Sequence, residues 1–293
     1  MIEVKGVSKS YQKGKTVLKD LHLKIDEGSI FGLVGINGAG KSTLLRLLAG
    51  VLRGEGGQVC VDGEDVYENE RVKRLIFFLP DDPYYTSNIT ARKLAKLYAS
   101  AYDFQESVFL EYLEKFKLTQ NTPIRNFSKG MKRQVFVALA LAVAPKYLLL
   151  DEAFDGLDPL ARIVFKKGLE KLVREQGSTV VISSHSLREL EDVCNRYGIL
   201  DKGRITCSEE LEYDLTRLHK FQAAFTREVA REDFPFDCAA FSKTGSVVQL
   251  IARGDAEEVQ EKIRALEPLF VEEIPVDFEE LFLGEVQSRG YLQ

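Results

Sequence analysis

Apolar residues recur along this chain with periods that change from one stretch to the next, and the changes divide it. Near the N-terminus Ile2, Val4 and Val7, then Val17, Leu21, Leu23 and Ile25, alternate with polar positions, which predicts half-buried strands of an antiparallel sheet. Residues 29–34 (SIFGLV) are continuously apolar, as expected of a strand buried on both faces. A glycine-rich loop follows. Residues 41–49 (KSTLLRLLA) then predict a helix whose apolar stripe is Leu44, Leu45, Leu47 and Leu48 and whose stop is Gly50. Residues 59–61 and 75–79 predict two further strands.

From about residue 89 to 145 the period becomes helical. Thr90 is a candidate N-cap for the first helix, a second runs over about 105–117, and a third over 129–144 ends at Pro145. Strands return at 147–150 and 179–183, separated by a helix over about 160–176. That strand–helix–strand unit implies parallel pairing. A short helix over 186–195 and a strand over 197–200 complete the first part. Beyond Gly203 the texture changes to a strand meander over about 220–252 turning at Gly245, an amphipathic helix over 256–266, and another over 278–286. The pattern predicts one domain over 1–205, with a helical subdomain over about 89–145, and a small α+β accessory domain over 206–293. No repeat is visible, so each motif occurs once.

Composition narrows the class. Hydrophobic residues make up 45% and charged residues 29% of the 293, the proportions of a globular protein. A net charge of −5 with both signs scattered argues against a chain-wide nucleic-acid footprint, so no nucleic-acid partner is expected. Cys60, Cys194, Cys207 and Cys238 form no CxxC pair and read as buried free thiols of a reducing compartment. The longest apolar run, Val135 to Ala144, is half of the roughly 20 residues a membrane span needs. The N-terminus has no apolar signal region. A cytoplasmic chain is expected, with any membrane connection supplied by a partner.

Three segments carry chemistry. Residues 35–42 read GINGAGKS, the G-x-x-x-x-G-K-[ST] pattern placed between a strand and a helix. Glycines at 35, 38 and 40 allow backbone conformations a Cβ would obstruct, so that consecutive N–H groups wrap an anion at the helix N-terminus. Gly35, Asn37, Gly38, Ala39, Gly40, Lys41, Ser42 and Thr43 are the ATP-binding candidates. Lys41 would reach the β- and γ-phosphates, and the Ser42 hydroxyl would meet Mg²⁺. Residues 148–152 read LLLDE, an apolar strand ending in two acids: Asp151 for the hydration shell of Mg²⁺, Glu152 to orient or deprotonate the attacking water. His185, at the end of the 179–183 strand, is read as the contact to the γ-phosphate and that water; His22 and His219 read as surface residues. These segments specify a P-loop nucleotide binder, a description shared by kinases, helicases, GTPases and transport ATPases.

Residues 126–134 (NFSKGMKRQ) resemble the LSGGQ signature of ATP-binding cassette (ABC) proteins, with Phe127, Ser128, Lys129, Gly130 and Met131 in the five positions. The resemblance runs through the first 205 residues and is similar to bacterial drug and peptide efflux cassettes. It implies a P-loop (RecA-like) ATPase core with an antiparallel β subdomain and an inserted helical subdomain. It places Tyr11 against adenine, Asp158 in a D-loop (DGLDP), and Ser128, Lys129, Gly130 and Met131 on the γ-phosphate held by a second subunit. Lys129 and Met131 depart from the usual glycine and glutamine, beside the contacting residues, and tolerance is expected. At 79–81 the chain reads LPD where the family usually has LPQ. Asp81 would keep an oxygen ligand for Mg²⁺, with Asp82 adjacent as an alternative.

One cassette per chain then implies a head-to-tail pair, with a second copy or a related cassette, around two ATP. It implies a separate transmembrane permease and a location at the inner face of the cell membrane. Pro83, Tyr84, Tyr85 and Ile89 are candidate contacts to that permease, or else cap the helical insertion. The leading expectation is an ATP-hydrolysing transport subunit that drives export of a drug, antimicrobial or amphipathic peptide. A soluble non-transport ABC ATPase and a low-turnover regulatory module are the alternatives. Residues 206–293 are either a scaffold extension or a dimerisation or regulatory domain.

Overall fold

The computed structural model describes residues 1–12, 14–186, 188–191, 193–207 and 218–275. The chain divides into two compact units, Met1–Cys207 and Ser208–Gln293.

The first unit holds two sheets. Strands β1 (Ile2–Gln12), β2 (Lys15–Ile25), β4 (Gln58–Val61) and β5 (Glu64–Asp65) make an antiparallel sheet in the order β2-β1-β4-β5. The uneven spacing Val4, Val7 and Leu18, Leu21 has a local cause. Val4 pairs with Leu23 and Val7 with Leu21, so β1 carries an extra residue there, where Gly6 takes φ +63°. Between Val7↔Leu21 and Lys9↔Leu18 the extra residue lies on β2, where Asp20 takes φ +44°. Each bulge returns the next apolar residue to the core face, and Val4, Val7, Leu18 and Leu21 are all buried.

The second sheet has the order β10-β9-β3-β8-β7-β6, from β3 (Ile30–Val34), β6 (Ile76–Leu79), β7 (Tyr147–Asp151), β8 (Thr179–Ser184), β9 (Arg196–Asp201) and β10 (Arg204–Cys207). All neighbours are parallel except β10, which turns back on β9. Helix α1 (Lys41–Leu48) follows β3. The expected stripe is buried in full: Leu44, Leu45, Leu47 and Leu48 are all enclosed in one core with residues of both sheets. Burying each such leucine is worth roughly 1.5–3 kcal/mol. The helix stops as expected, with Gly50 at φ +64° and its N–H on Leu47 O.

A short helix, α2 (Glu70–Lys73), precedes β6, and between β6 and β7 lie α3 (Ala91–Ala99), α4 (Glu106–Lys115) and α5 (Lys129–Val143). Thr90 Oγ1 accepts from Lys93 N, so the expected cap is present. Helix α6 (Pro159–Gln176) joins β7 to β8, with Asp158 as its N-cap, and α7 (Arg188–Glu191) is shorter than the helix expected over 186–195. No helix among the described residues is long and apolar enough to cross a membrane. Cys60, Cys194 and Cys238 are free and buried. Burial pushes the Cys194 thiol up to about 12, so it is inert at neutral pH.

In the second unit β11 (Leu218–Ala224), β12 (Cys238–Thr244), β13 (Val247–Arg253) and β14 (Phe270–Ile274) form an antiparallel sheet in the order β12-β13-β11-β14, and Gly245 turns β12 into β13 at φ +63°. Helix α8 (Ala256–Arg264) buries Val259 and Ile263 in a core with Phe221, Phe225 and Phe234. The helix expected over 278–286 lies outside the described residues.

One polar junction ties the two sheets of the first unit. Asp62 and Gly63 make the tight β4–β5 turn at φ +53° and +81°. The Asp62 carboxylate accepts from Tyr147 Oη at 2.5 Å, from Lys146 Nζ at 3.0 Å and from the Met1 ammonium at 2.9 Å. Burial disfavours its charge, but the hydrogen bonds from Tyr147, the ammonium and Lys146 outweigh that and hold it at about 2. A depressed carboxylate contributes stability above its unfolded value near 3.9 and loses it as pH falls through the folded one. Asp62→Asn is therefore expected to cost about 1–2 kcal/mol at pH 7, a figure reduced for partial exposure. Thermal melts should show the gap to the parent closing between about pH 4 and pH 2; a gap independent of pH would remove the ionic explanation.

Candidate active site

The loop between β3 and α1 contains the densest set of predicted residues. Gly38 and Gly40 take φ +86° and +110°, conformations that L residues rarely adopt. Gly35 does not: it is required for space, because a Cβ there would lie 2.5 Å from Leu200 O on β9. Asn37 is exposed and Ala39 buried. Gly40 brings no side chain to cap the first amides of α1, and no acid stands in its first turn. The positive end of the helix therefore faces the loop uncompensated, as an anion site requires.

Lys41 is 6% exposed and turns back into the loop. Its Nζ donates to Gly35 O at 2.6 Å and lies 3.2 Å from Glu152 Oε1. Ser42 is half-buried beside it. Thr43 is buried, with Oγ1 3.2 Å from Tyr11 Oη, so the half-exposed Tyr11 stands over the first turn of α1.

Strand β7 delivers the two acids. Asp151 is buried and its Oδ1 accepts from Ser183 Oγ at 2.7 Å; the same hydroxyl accepts from Glu152 N at 3.0 Å. Ser183, on the neighbouring β8, thus holds both acids, a role the sequence hinted at only by placing a polar pair at the end of an apolar strand. Glu152 sits at φ +48°, a left-handed backbone that costs a non-glycine residue on the order of 1–2 kcal/mol. Its carboxylate bridges two of the predicted residues: Oε1 faces Lys41, and Oε2 is 2.9 Å from His185 Nδ1. Since a carboxylate only accepts, Nδ1 carries the proton of this contact, and Nε2 is the ring nitrogen left outside the pair. His22 is exposed as expected, whereas His219 is only half-exposed and pairs with Glu273 at 2.8 Å.

The signature segment lies against the D-loop. Ser128 caps α5, its Oγ accepting from Met131 N at 3.2 Å. A Cβ on Gly130 would lie 2.4 Å from Gly156 O, so close packing requires glycine there. Lys129 Nζ lies 2.6 Å from Asp155 Oδ2; that hydrogen bond raises the lysine and holds the aspartate below its ordinary range. Asp158 caps α6 through Ala161 N at 2.9 Å and accepts from Gln134 Nε2 at 3.1 Å. Asp155 and Gln134 were not foreseen, although Asp155 lies inside the quoted DGLDP stretch.

Asp81 lies against α5. Its Oδ1 accepts from Arg133 Nη2 at 2.6 Å, and the same guanidinium takes the Pro80 and Asp81 carbonyls. Arg133 is buried on α5, and burying a guanidinium demands a carboxylate partner. Asp81 keeps 54% of its side-chain surface and a second carboxylate oxygen outside this pair. The two neighbouring tyrosines separate. Tyr85 packs on Phe136 of α5, ring centroids 6.0 Å apart, whereas Tyr84 is 90% exposed.

Comparisons with known proteins agree with this geometry. Residues 18–155 match the family model described as ABC transporter. The chain is 30% identical over 291 residues to the ABC transporter ATP-binding protein YtrB of Bacillus subtilis (strain 168), covering 99% of each chain. It is 32% identical over 216 residues to the lantibiotic transport ATP-binding protein SrtF of Streptococcus pyogenes, covering 73% of this chain and 92% of that one. A dimeric ATP-binding cassette solved in a post-hydrolysis state with ADP and Pi aligns with a TM-score of 0.62 at 25% identity, over 70% of this chain and 96% of that one. ABC cassettes bind ATP. The chain belongs to the ATP-binding proteins of ABC transporters and is an ATPase of that family.

Proposed function

We propose that the chain hydrolyses ATP as one half of a head-to-tail pair and drives a separate transmembrane permease in the export of an amphipathic peptide or drug. The observation that carries the catalytic part is the Glu152 carboxylate held between Lys41 and His185. In this reading the loop amides and Lys41 take the β- and γ-phosphates. Glu152 accepts a proton from the attacking water, and His185 orients that water and the γ-phosphate through Nε2. The Pγ–O bond to ADP then breaks, with the departing charge stabilised by Lys41 and the end of α1. Tyr11 stacks on adenine. Ser128 and Gly130, flanked by Lys129 and Met131 and with Asp158 behind them, face the nucleotide of the other half.

The residues fit Mg²⁺. Ser42 and Asp151, with Asp81 as a further candidate, offer hard oxygens, and no group of three His, Cys, Asp or Glu among the described residues could hold a metal alone. Mg²⁺ commonly relies on one or two protein oxygens together with substrate phosphates. It would neutralise charge on those phosphates.

Docking on a permease places the chain at the inner face of the membrane. The name of the relative SrtF, a lantibiotic transport ATP-binding protein, supports a transport role with an antimicrobial cargo of that kind. Residues 206–293 act as an accessory domain. Tyr84 is the proposed anchor to the permease, because large exposed aromatics dominate interface energies. Co-purification with a co-expressed permease tests this reading. Tyr84→Ala is expected to weaken capture by about tenfold or more, while the isolated chain keeps its ATPase rate. Undiminished capture and stimulation would remove Tyr84 from the interface, and failure of the parent to bind any permease would remove the transport role.

A further inference from the structure

Lys129, where the signature usually has glycine, has found a partner inside its own chain. Its pair with Asp155 is largely exposed, the side chains retaining 72% and 42% of their accessible surface, so it contributes little to folding. Its position gives it another use. Asp155 closes the turn that begins at Glu152, its N–H donating to Glu152 O at 3.0 Å. Between them Ala153 and Phe154 are buried, and the Phe154 ring packs on Phe165 of α6 at 5.1 Å. A turn pinned by its middle transmits a displacement at one end to the other. The end it reaches, Glu152, already holds a left-handed backbone that its surroundings must enforce. Two other contacts fix the same seam: Gly130 lies against Gly156 O, and Gln134 donates to Asp158.

We propose that Lys129 is a positioning residue for hydrolysis: through Asp155 and the 152–155 turn it keeps the Glu152 carboxylate aligned with His185 and Lys41. The start of α5 and the water-activating acid then move together. The inference rests on the role given to Glu152 above.

Steady-state ATPase assays on the full-length chain test it. Lys129→Ala and Asp155→Ala should each lower kcat by about 3–10-fold, with KM for ATP within about twofold of the parent and an unchanged melting temperature. The double alanine variant should be no slower than either single one, because both remove one interaction. The exchanged pair, Lys129→Asp with Asp155→Lys, should recover most of the rate, which a direct contact from Lys129 to a phosphate would not permit. Parental kcat in either single variant, additive losses in the double, or a loss confined to KM would overturn the proposal. So would an exchanged pair that melts like the parent and stays slow. Glu152→Gln, assayed alongside, separates the failures. Full turnover there removes the role of Glu152 and this inference with it, whereas a dead Glu152→Gln beside a parental Lys129→Ala removes the inference alone.

Discussion

Glu152→Gln is expected to bind ATP normally and to release phosphate at least about 100-fold more slowly than the parent, the range for loss of a positioned general base. The substitution is nearly isosteric, so the half-buried pocket between Lys41 and His185 stays filled. The amide cannot take a proton from water. It also removes a negative charge lying 3.2 Å from Lys41 Nζ, a charge that competes with the phosphates for that ammonium. ATP affinity should therefore hold or rise. With the γ-phosphate uncleaved, its contacts to both halves persist, and the pair should accumulate as dimer in ATP. Phosphate release and light scattering with and without ATP measure the two effects. Normal turnover would mean that another group activates the water.

Lys41→Ala should produce the opposite defect, a loss of nucleotide affinity of about 100-fold or more. The lysine is almost fully buried, and removing one partner of a buried ion pair costs about 3–5 kcal/mol when the other charge is left behind. Here that charge is Glu152, which would then face the phosphates with only His185 as a counterweight. This predicts a specific non-additivity: adding Glu152→Gln to Lys41→Ala should restore part of the lost affinity by removing the uncompensated acid. Titration with a fluorescent ATP analogue reads all four proteins. An affinity in Lys41→Ala equal to the parent's would remove the lysine from the phosphate site, and strict additivity would show that Glu152 and Lys41 do not sense one another.

Much of the site was legible because its signals are local. The glycine spacing of 35–42 between an apolar run and a leucine-rich helix describes a cradle without reference to any distant residue. The two acids after LLL and the histidine after TVVISS lie at strand ends, and strands buried on both faces announce themselves by continuous apolarity. The caps at Thr90, Ser128 and Asp158 are local as well, each accepting from an amide three residues on. The bulged hairpin was not foreseen: the alternation reads through Val17, whereas the structure buries Leu18, and the register slips between Val4 and Val7 and between Leu18 and Leu21.

What the sequence by itself determined, then, is the order of elements, the anion cradle and the identity of the acids and the histidine. These follow from short-range periodicity and backbone chemistry. Only the tertiary structure decided which partners those groups have. Asp81 shows no partner in the sequence until α5 brings the buried Arg133 to it from 52 positions away. Lys129 reads as a tolerated substitution until the D-loop brings Asp155 within 2.6 Å. Gly35 reads as a flexible turn residue until β9 sets a carbonyl where its Cβ would be. In each case the deciding atom belongs to a different element. Hydrogen bonds, ion pairs and steric limits depend on distances of a few ångströms between elements, and those distances exist only once the sheets and helices have packed.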